Sequence, residues 1–266
     1  MKPVCLHSKA RLEAYFRGNP ALHIYGLGDL DDAFWNNTVW YGLEHEDDIA
    51  AVAFLYTGGP SPALLAISQD SPVMRSLLHA IAHLLPSRFS AHLSPGVEET
   101  LKEYYDLSSQ GEHRKMVLTD PKQLEHVDCS QTEPLAEDAA SEVLALFMDS
   151  SPDNWFDPRM LAVGQCYGVR ADGRLVSVAG THVYSERYRV AALGNITTHP
   201  VYRNRGYARA AIARLCRSLG EHTDYIGLNV KADNEAAIAC YQKLGFEFVA
   251  SYGEYAAASK WKSMKV

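Results

Sequence analysis

From Asn195 to Phe246 the chain runs through NITTHPVYRNRGYARAAIARLCRSLG, a short apolar strand, and then NVKADNEAAIACYQKLGF. This alternation leaves few folds open. A β-type run breaks at Arg203-Asn204-Arg205-Gly206-Tyr207-Ala208 and gives way to a strongly helical run, AAIARLCRSLG. A strand from Tyr225 to Val230 follows. Asn234 then reads as the N-cap of a second helix and Gly245 as its C-cap glycine. Strands alternating with helices in this way predict an α/β arrangement, a mixed sheet with helices on its faces.

The break at Arg203–Ala208 suits a diphosphate. The first N–H groups of a helix lack intrahelical partners, and the helix dipole adds partial positive charge there. Gly206 and Ala208 let the backbone approach an anion closely, and Arg203 and Arg205 add fixed charge. Pro200 fits the turn just upstream. Asn234 and Tyr241 are two helical turns apart, so a ligand lying along that face could meet both.

At these residues the chain resembles the GNAT superfamily of N-acetyltransferases, whose core carries an Arg/Gln-x-x-Gly-x-Gly/Ala loop followed by an Asn…Tyr…Gly-Phe segment. The matching residues are Arg203 to Ala208, then Asn234, Tyr241, Gly245 and Phe246. The resemblance implies the GNAT fold over roughly 127–260 and acetyl-CoA as cosubstrate, with a cofactor site at Ile196, Thr197, Thr198, Arg203, Asn204, Arg205, Gly206, Tyr207, Ala208, Asn229, Asn234 and Tyr241. By the same resemblance, backbone amides along Ile196–Thr198 hold the pantetheine arm, and one near Ile196 faces the acyl oxygen.

A chain of 266 residues, 47% of them hydrophobic, exceeds the size of an average domain and is read as two. The N-terminal half supports this. β-type runs at 49–56 and 63–67 are separated by Thr57-Gly58-Gly59-Pro60-Ser61-Pro62. A helix over 72–84, a strand over 89–92, a helix over 96–105 and a strand over 114–118 come next. This order, strand, strand, helix, strand, helix, strand, recurs in the second half at a spacing of roughly 130 residues. Two tandem copies are expected, over 1–122 and 126–266, with a polar linker near 120–125. In the first copy the diphosphate position holds Ser68-Gln69-Asp70-Ser71-Pro72-Val73-Met74, with an acid in place of arginine and no glycine, so this copy is expected to be degenerate. Tyr25-Gly26-Leu27-Gly28-Asp29-Leu30 lacks the third glycine of a dinucleotide fingerprint and reads as a loop.

In the second half the pattern predicts a strand at 126–129, a helix at 135–148, a loop at 150–158 and a helical turn at 158–163. Strands at 166–170 and 175–184 are joined by Ala171-Asp172-Gly173-Arg174, and a further strand runs over 187–198. A final strand pair over 246–258 is expected to turn at Tyr252-Gly253.

The net charge of −7 argues against general nucleic-acid or anionic-membrane binding and suits a cationic amine acceptor. No apolar stretch approaches the ~20 residues of a membrane span, and the N-terminus lacks a signal-peptide pattern, so a soluble, cytoplasmic monomer or homodimer is expected. Cys5, Cys129, Cys166, Cys216 and Cys240 show no CxxC pairing and are expected to be buried thiols. The eleven histidines show no metal spacing, and no metal is expected.

Acyl transfer needs a proton donor at sulfur and a base for the amine. Tyr241 is the candidate acid, its phenol pKa of ~10 lying above the ~8.5 of a thiol. Many relatives place a glutamate on the strand before the diphosphate loop; here the run Val190–Asn195 contains no carboxylate, and Asn195 cannot take a proton. His182, Glu186, His199 and Glu254 remain as candidate bases, beside a water wire anchored by Asn195. The loop 150–158, with Asp149, Asp153, Trp155, Phe156 and Asp157, is the candidate amine site. Two alternatives stay open: an acyl-CoA sensor without turnover, and a glycine-conjugating type of acyltransferase using longer acyl groups.

Overall fold

A computed structural model describes residues 1–152, 156–163 and 165–260. They form two compact units. The first comprises Met1–Lys115, Lys231–Asp233 and the described residues from Val249 on; the second comprises Met116–Val230 and Asn234–Phe248.

In the first unit, β1 (Lys2–Leu6), β2 (Thr38–His45), β3 (Asp48–Tyr56) and β4 (Ala63–Ala66) form an antiparallel run. Between β1 and β2 lie α1 (Lys9–Arg17), α2 (Ile24–Gly28) and α3 (Asp32–Trp35). Helix α4 (Ser71–Ile81) then brings β5 (Arg88–Leu93) parallel to β4, from Ala63–Ser90 to Ala66–Leu93. Its buried positions Met74, Leu77, Leu78 and Ile81 follow the helical repeat and pack with Leu64, Ala91 and Leu93. A short α5 (Glu98–Lys102) leads into the long β6 (Tyr105–Leu118). The helix expected over 96–105 is cut short because Tyr105 is pinned, its buried hydroxyl donating to the carbonyls of Ala82 (3.0 Å) and Leu85 (3.2 Å).

The segment Tyr25–Leu30, expected as a loop, is largely the helix α2. Two glycines make a poor helix in isolation. Packing overrides this: a Cβ on Gly26 would lie 2.9 Å from the Phe16 ring, so glycine lets the helix settle on that side chain. Asp29 follows at the helix end, 5% exposed, and burial pushes its carboxyl up to about 8.

In the second unit, β7 (Thr132–Pro134), β8 (Tyr167–Ala171), β9 (Arg174–Ser185) and β10 (Val190–Thr198) are antiparallel neighbours. Asp172 and Gly173, both at positive φ, form the β8–β9 turn. After the short α6 (Lys122–Glu125), helix α7 (Ala140–Ser150) follows a 3-10 turn at Glu137–Ala139, and a second 3-10 segment spans Pro158–Val163. Helix α8 (Tyr207–Gly220) connects β10 to the parallel β11 (Tyr225–Lys231), and α9 (Glu235–Lys243) leads into β12 (Phe246–Ser259). The core gathers Leu193, Ile212, Leu215, Ile226, Leu228, Tyr241 and Phe246.

Three expectations are corrected here. The opening strand lies at 132–134, not 126–129. The Leu124 and Val127 carbonyls accept from the Arg217 guanidinium, and Cys129 C=O takes both Thr132 N–H (3.0 Å) and its hydroxyl (2.7 Å), which makes a turn. The expected hairpin at Tyr252-Gly253 is one continuous strand, with Gly253 opposite Leu93. Gly253 serves close packing there, since a Cβ would meet the Tyr255 ring at 2.6 Å. Among the cysteines, Cys5 is exposed; Cys166 and Cys216 are buried, and Cys129 and Cys240 are half-buried.

The segment 120–125 is fixed within the second unit. Thr119 and Asp120 donate their N–H groups to Gly245 C=O at 2.9 and 3.1 Å. Gly245, at φ 91°, ends α9, and a Cβ there would stand 2.1 Å from the Asp120 carbonyl oxygen.

Candidate active site

The site begins where β10 and β11 part. Their parallel ladder runs from Val190–Tyr225 to Leu193–Leu228 and ends. At the same point β10 slips against β9, with register shifts at Ala192/Leu193 and between Gly194 and Thr197. Asn195 takes a left-handed φ of 53° in this bulge. A non-glycine residue there costs on the order of 1–2 kcal/mol, a strain that persists only where surrounding structure holds it. On the β9 side, His199 N–H donates to Val176 C=O at 2.9 Å. Strand alternation therefore turns the N–H groups of Thr198 and Ile196 toward the side that β11 has left. The Thr198 carbonyl on that side accepts from Arg203 Nε at 3.2 Å. Thr197 is buried the other way, its hydroxyl bonded to Ser150 Oγ (2.9 Å) and Ser151 Oγ (3.2 Å), which fixes α7 to β10.

The chain then enters α8 through a 3-10 turn at Pro200–Tyr202 and two left-handed residues, Asn204 (φ 62°) and Gly206 (φ 84°). The first helical bond is Ala210 N–H to Gly206 C=O, 3.0 Å, so the Tyr207, Ala208 and Arg209 amides head the helix without intrahelical partners. A groove of about 220 Å³ opens there, lined among others by His126, Gln131, Arg205, Gly206, Tyr207 and Arg209. Arg209 Nε is buried with no hydrogen-bond partner among the described residues. Arg205 reaches the Val201 carbonyl (3.4 Å) and lies over the Tyr202 ring. Free amides, a positive helix end and three arginines fit a phosphorylated cosubstrate.

Asn234 caps α9, accepting from Ala237 N–H at 3.1 Å, and is itself exposed. Asn229 is the first residue of β11 beyond its ladder with β10. Tyr241 is 7% exposed, edge-on to Phe246 at 5.9 Å, in the same cluster as Ile196, Tyr207 and Ala208. Burial, and then the neighbouring Cys240 and Cys216 thiols, push its phenol well above the usual range, so it is held protonated.

The four candidate bases separate. Glu254 belongs to the first unit, where it stands 3.4 Å from His113 Nε2 and 3.9 Å from His92 Nε2. Glu186 lies beyond β9 at the hairpin turn, accepting from Tyr184 OH at 2.6 Å. His199 Nδ1 accepts from Val201 N–H (3.4 Å), and its Nε2 lies 4.0 Å from Asp149. His182 reaches the bulge, its ring lying on Gly194. In the candidate amine loop, Phe156 packs on Phe147 at 5.5 Å, and Asp157 C=O accepts from Met160 N–H. Asp153 and Trp155 lie outside the described residues. Sequence reasoning missed Met160, whose sulfur accepts from Asn195 Nδ2 at 3.1 Å. Nothing in the local pattern pointed to it.

The corresponding place in the first unit is closed. The β4–β5 ladder continues to its end and is extended by Ser94, whose N–H donates to Ala66 C=O (3.2 Å) while its hydroxyl accepts from Ser68 N–H (2.9 Å). Asp70 occupies the head of α4, accepting from Val73 N–H at 3.0 Å, and Pro72 removes another donor. A diphosphate would meet a carboxylate where the second unit offers amides and arginines.

The second unit carries a split parallel strand pair beside a glycine-headed helix, the arrangement of the GNAT fold; in the first unit the corresponding strand pair is closed. Residues 131–246 match the Acetyltransferase (GNAT) family, which implies an acyl-CoA cosubstrate for this stretch of the chain. The chain is similar to an uncharacterized Mycobacterium leprae protein, 33% identical over 139 residues; the match covers 47% of this chain and 36% of that protein. Among solved structures, a tandem GNAT protein from the clavulanic acid biosynthesis pathway aligns over 98% of this chain and 99% of its own, with 12% identity and a TM-score of 0.58. A Drosophila protein aligns over 96% and 98%, at 12% identity and TM-score 0.69. A putative GNAT acetyltransferase from Novosphingobium aromaticivorans aligns over 79% and 89%, at 22% identity and TM-score 0.57. These likenesses are of fold. No helix among the described residues is long and apolar enough to cross a membrane.

Proposed function

We propose that the second unit moves an acetyl group from acetyl-CoA to a primary amine of a small molecule or peptide by direct attack. The observation that carries this reading is the parting of β10 from β11 after Leu193–Leu228, which turns the Ile196 and Thr198 amides outward beside the head of α8. Acetyl-CoA supplies the activated acyl group as a thioester. The amides of Gly206, Tyr207 and Ala208, with Asn204 and the guanidinium groups of Arg203 and Arg205, hold its diphosphate. The Ile196 and Thr198 amides, flanked by Thr197, hold the pantetheine arm, with Asn229 and Asn234 along the same side. Tyr241 donates the proton at sulfur: its phenol stays protonated at neutral pH and its ring is fixed against Phe246.

Thiol release from acetyl-CoA against a panel of amines at pH 6–9 tests the reading, and no release with any amine would remove it. Tyr241→Phe is expected to lower kcat about 10–100-fold with KM within about twofold, since a proton donor acts in the transition state more than in ground-state binding. A wild-type kcat would leave Tyr241 as packing only.

A further inference from the structure

We propose that His182 is the general base of this transfer, its Nε2 taking the proton of the incoming ammonium while Asn195 holds the ring in place; the proposal rests on the acetyl-transfer reading above. The burial of His182 and its packing on Gly194 carry it, with the neighbouring Asn195 in support. Nε2 of His182 is buried and has no hydrogen-bond partner among the described residues. The ring lies flat on Gly194, where a Cβ would stand 2.2 Å from Cδ2 and 2.4 Å from both Cγ and Nε2, so glycine at 194 is the condition for the ring's position. The Asn195 side chain interacts with the ring in the sense that favours its protonated form.

A base at Nε2 requires the Nδ1–H tautomer, with the Asn195 carbonyl oxygen accepting from Nδ1–H and the Nε2 lone pair left for the incoming proton. Asn195 is anchored in turn by its left-handed backbone and by its Nδ2 donating to Met160 sulfur. From β9, the His182 ring thus packs over Gly194, the first residue of β10 past its ladder with β11, beside the place of the acyl group in the proposed reaction and in a strand run without a carboxylate. Its ionisation is governed by burial, which lowers its pKa, and by Asn195, which opposes that; no charged side chain among the described residues contributes. The ring is therefore neutral at pH 7 and able to accept a proton.

His182 Nε2 takes one proton from the ammonium and passes it to solvent. The neutral amine nitrogen forms its bond to the acyl carbon while the C–S bond breaks. Tyr241 gives its proton to the departing sulfur and recovers one from the nitrogen. Ammonium and thioester become amide, thiol and one released proton.

For the wild type, kcat/KM is expected to be level above about pH 7 and to fall below the histidine's lowered pKa. In His182→Gln it should drop about 10²–10³-fold at pH 7 and rise tenfold per pH unit, because the amine must then arrive already neutral. CoA affinity by calorimetry should stay within twofold. His182→Ala should regain rate with added imidazole. Independently of turnover, ¹⁵N NMR of the wild-type imidazole should show the Nδ1–H tautomer at pH 7, titrating below 6.5. An Nε2–H tautomer, or a His182→Gln profile superimposable on wild type, overturns the proposal alone. A wild-type protein that binds CoA and acetylates no amine overturns the acetyl-transfer reading and this proposal with it.

Discussion

Gly206→Glu is expected to weaken CoA binding at least 100-fold while leaving the fold intact. A Cβ at position 206 meets nothing within 4 Å, so the side chain has room. Two effects act against the ligand. The φ of 84° suits glycine and costs another residue about 1 kcal/mol or more, which the loop relieves by shifting the amides that follow. The new carboxylate then sits at the helix head, takes those N–H groups for itself, and repels a diphosphate across a few ångströms. Together these account for about 3 kcal/mol, the equivalent of 100-fold in Kd. Gly206→Ala separates the two, keeping the strain and omitting the charge, and should lose about tenfold or less. Calorimetry with CoA measures both variants, and unchanged affinity in Gly206→Glu would remove the diphosphate assignment.

Asp29→Asn is expected to stabilise the protein increasingly as pH rises from about 4 to about 8. The carboxyl is protonated in the folded state up to about pH 8, whereas in the unfolded chain it ionises near its ordinary 3.8. Its folded pKa is raised, so its contribution to stability is fully present below about 4 and is lost as pH climbs to 8. The loss is about 1.4 kcal/mol per pH unit. An uncharged, nearly isosteric amide removes that slope. His23, held down to about 4 by burial and then by Lys115, carries a slope of opposite sign between 4 and 6.5. Lys115, lowered to about 8 by burial, acts only above that pH. Both remain in the variant, so the difference in Tm between Asp29→Asn and wild type, followed by calorimetry from pH 5 to 8, isolates Asp29. A difference that does not change with pH would refute the assignment of a neutral buried carboxyl.

The helix ends that frame the candidate site were legible in the chain. Arg203 to Ala208 and Asn234 to Gly245 each specify a helix end and its conformation within a few residues, and they sit at the ends of α8 and α9 as the pattern requires. Parts made across strands were not. The meeting of His182 with Gly194 and Asn195 depends on a register slip between β9 and β10 that no pattern of either strand contains. The closure of the first unit by Ser94 joins residues 26 apart. Local signals also misled where packing decided otherwise. Tyr252-Gly253 has the composition of a turn, yet its glycine makes room for Tyr255, and the two glycines of α2 are tolerated because Phe16 fills the space beside Gly26.

The strand β12 bears on how the protein is made. Its residues Gly253 to Ala258 pair with β5, and the chain from Val249 on counts within the first unit. During synthesis, β1 to β6 leave the ribosome about ten seconds before that partner exists, at ~5–20 residues per second. Until then the β5 edge that β12 later covers stays open, a template for mispairing with other nascent chains. Cutting the gene near its middle would leave the first product in that state permanently, so soluble expression of the N-terminal half calls for residues 249–260 to be supplied in the same polypeptide or alongside it.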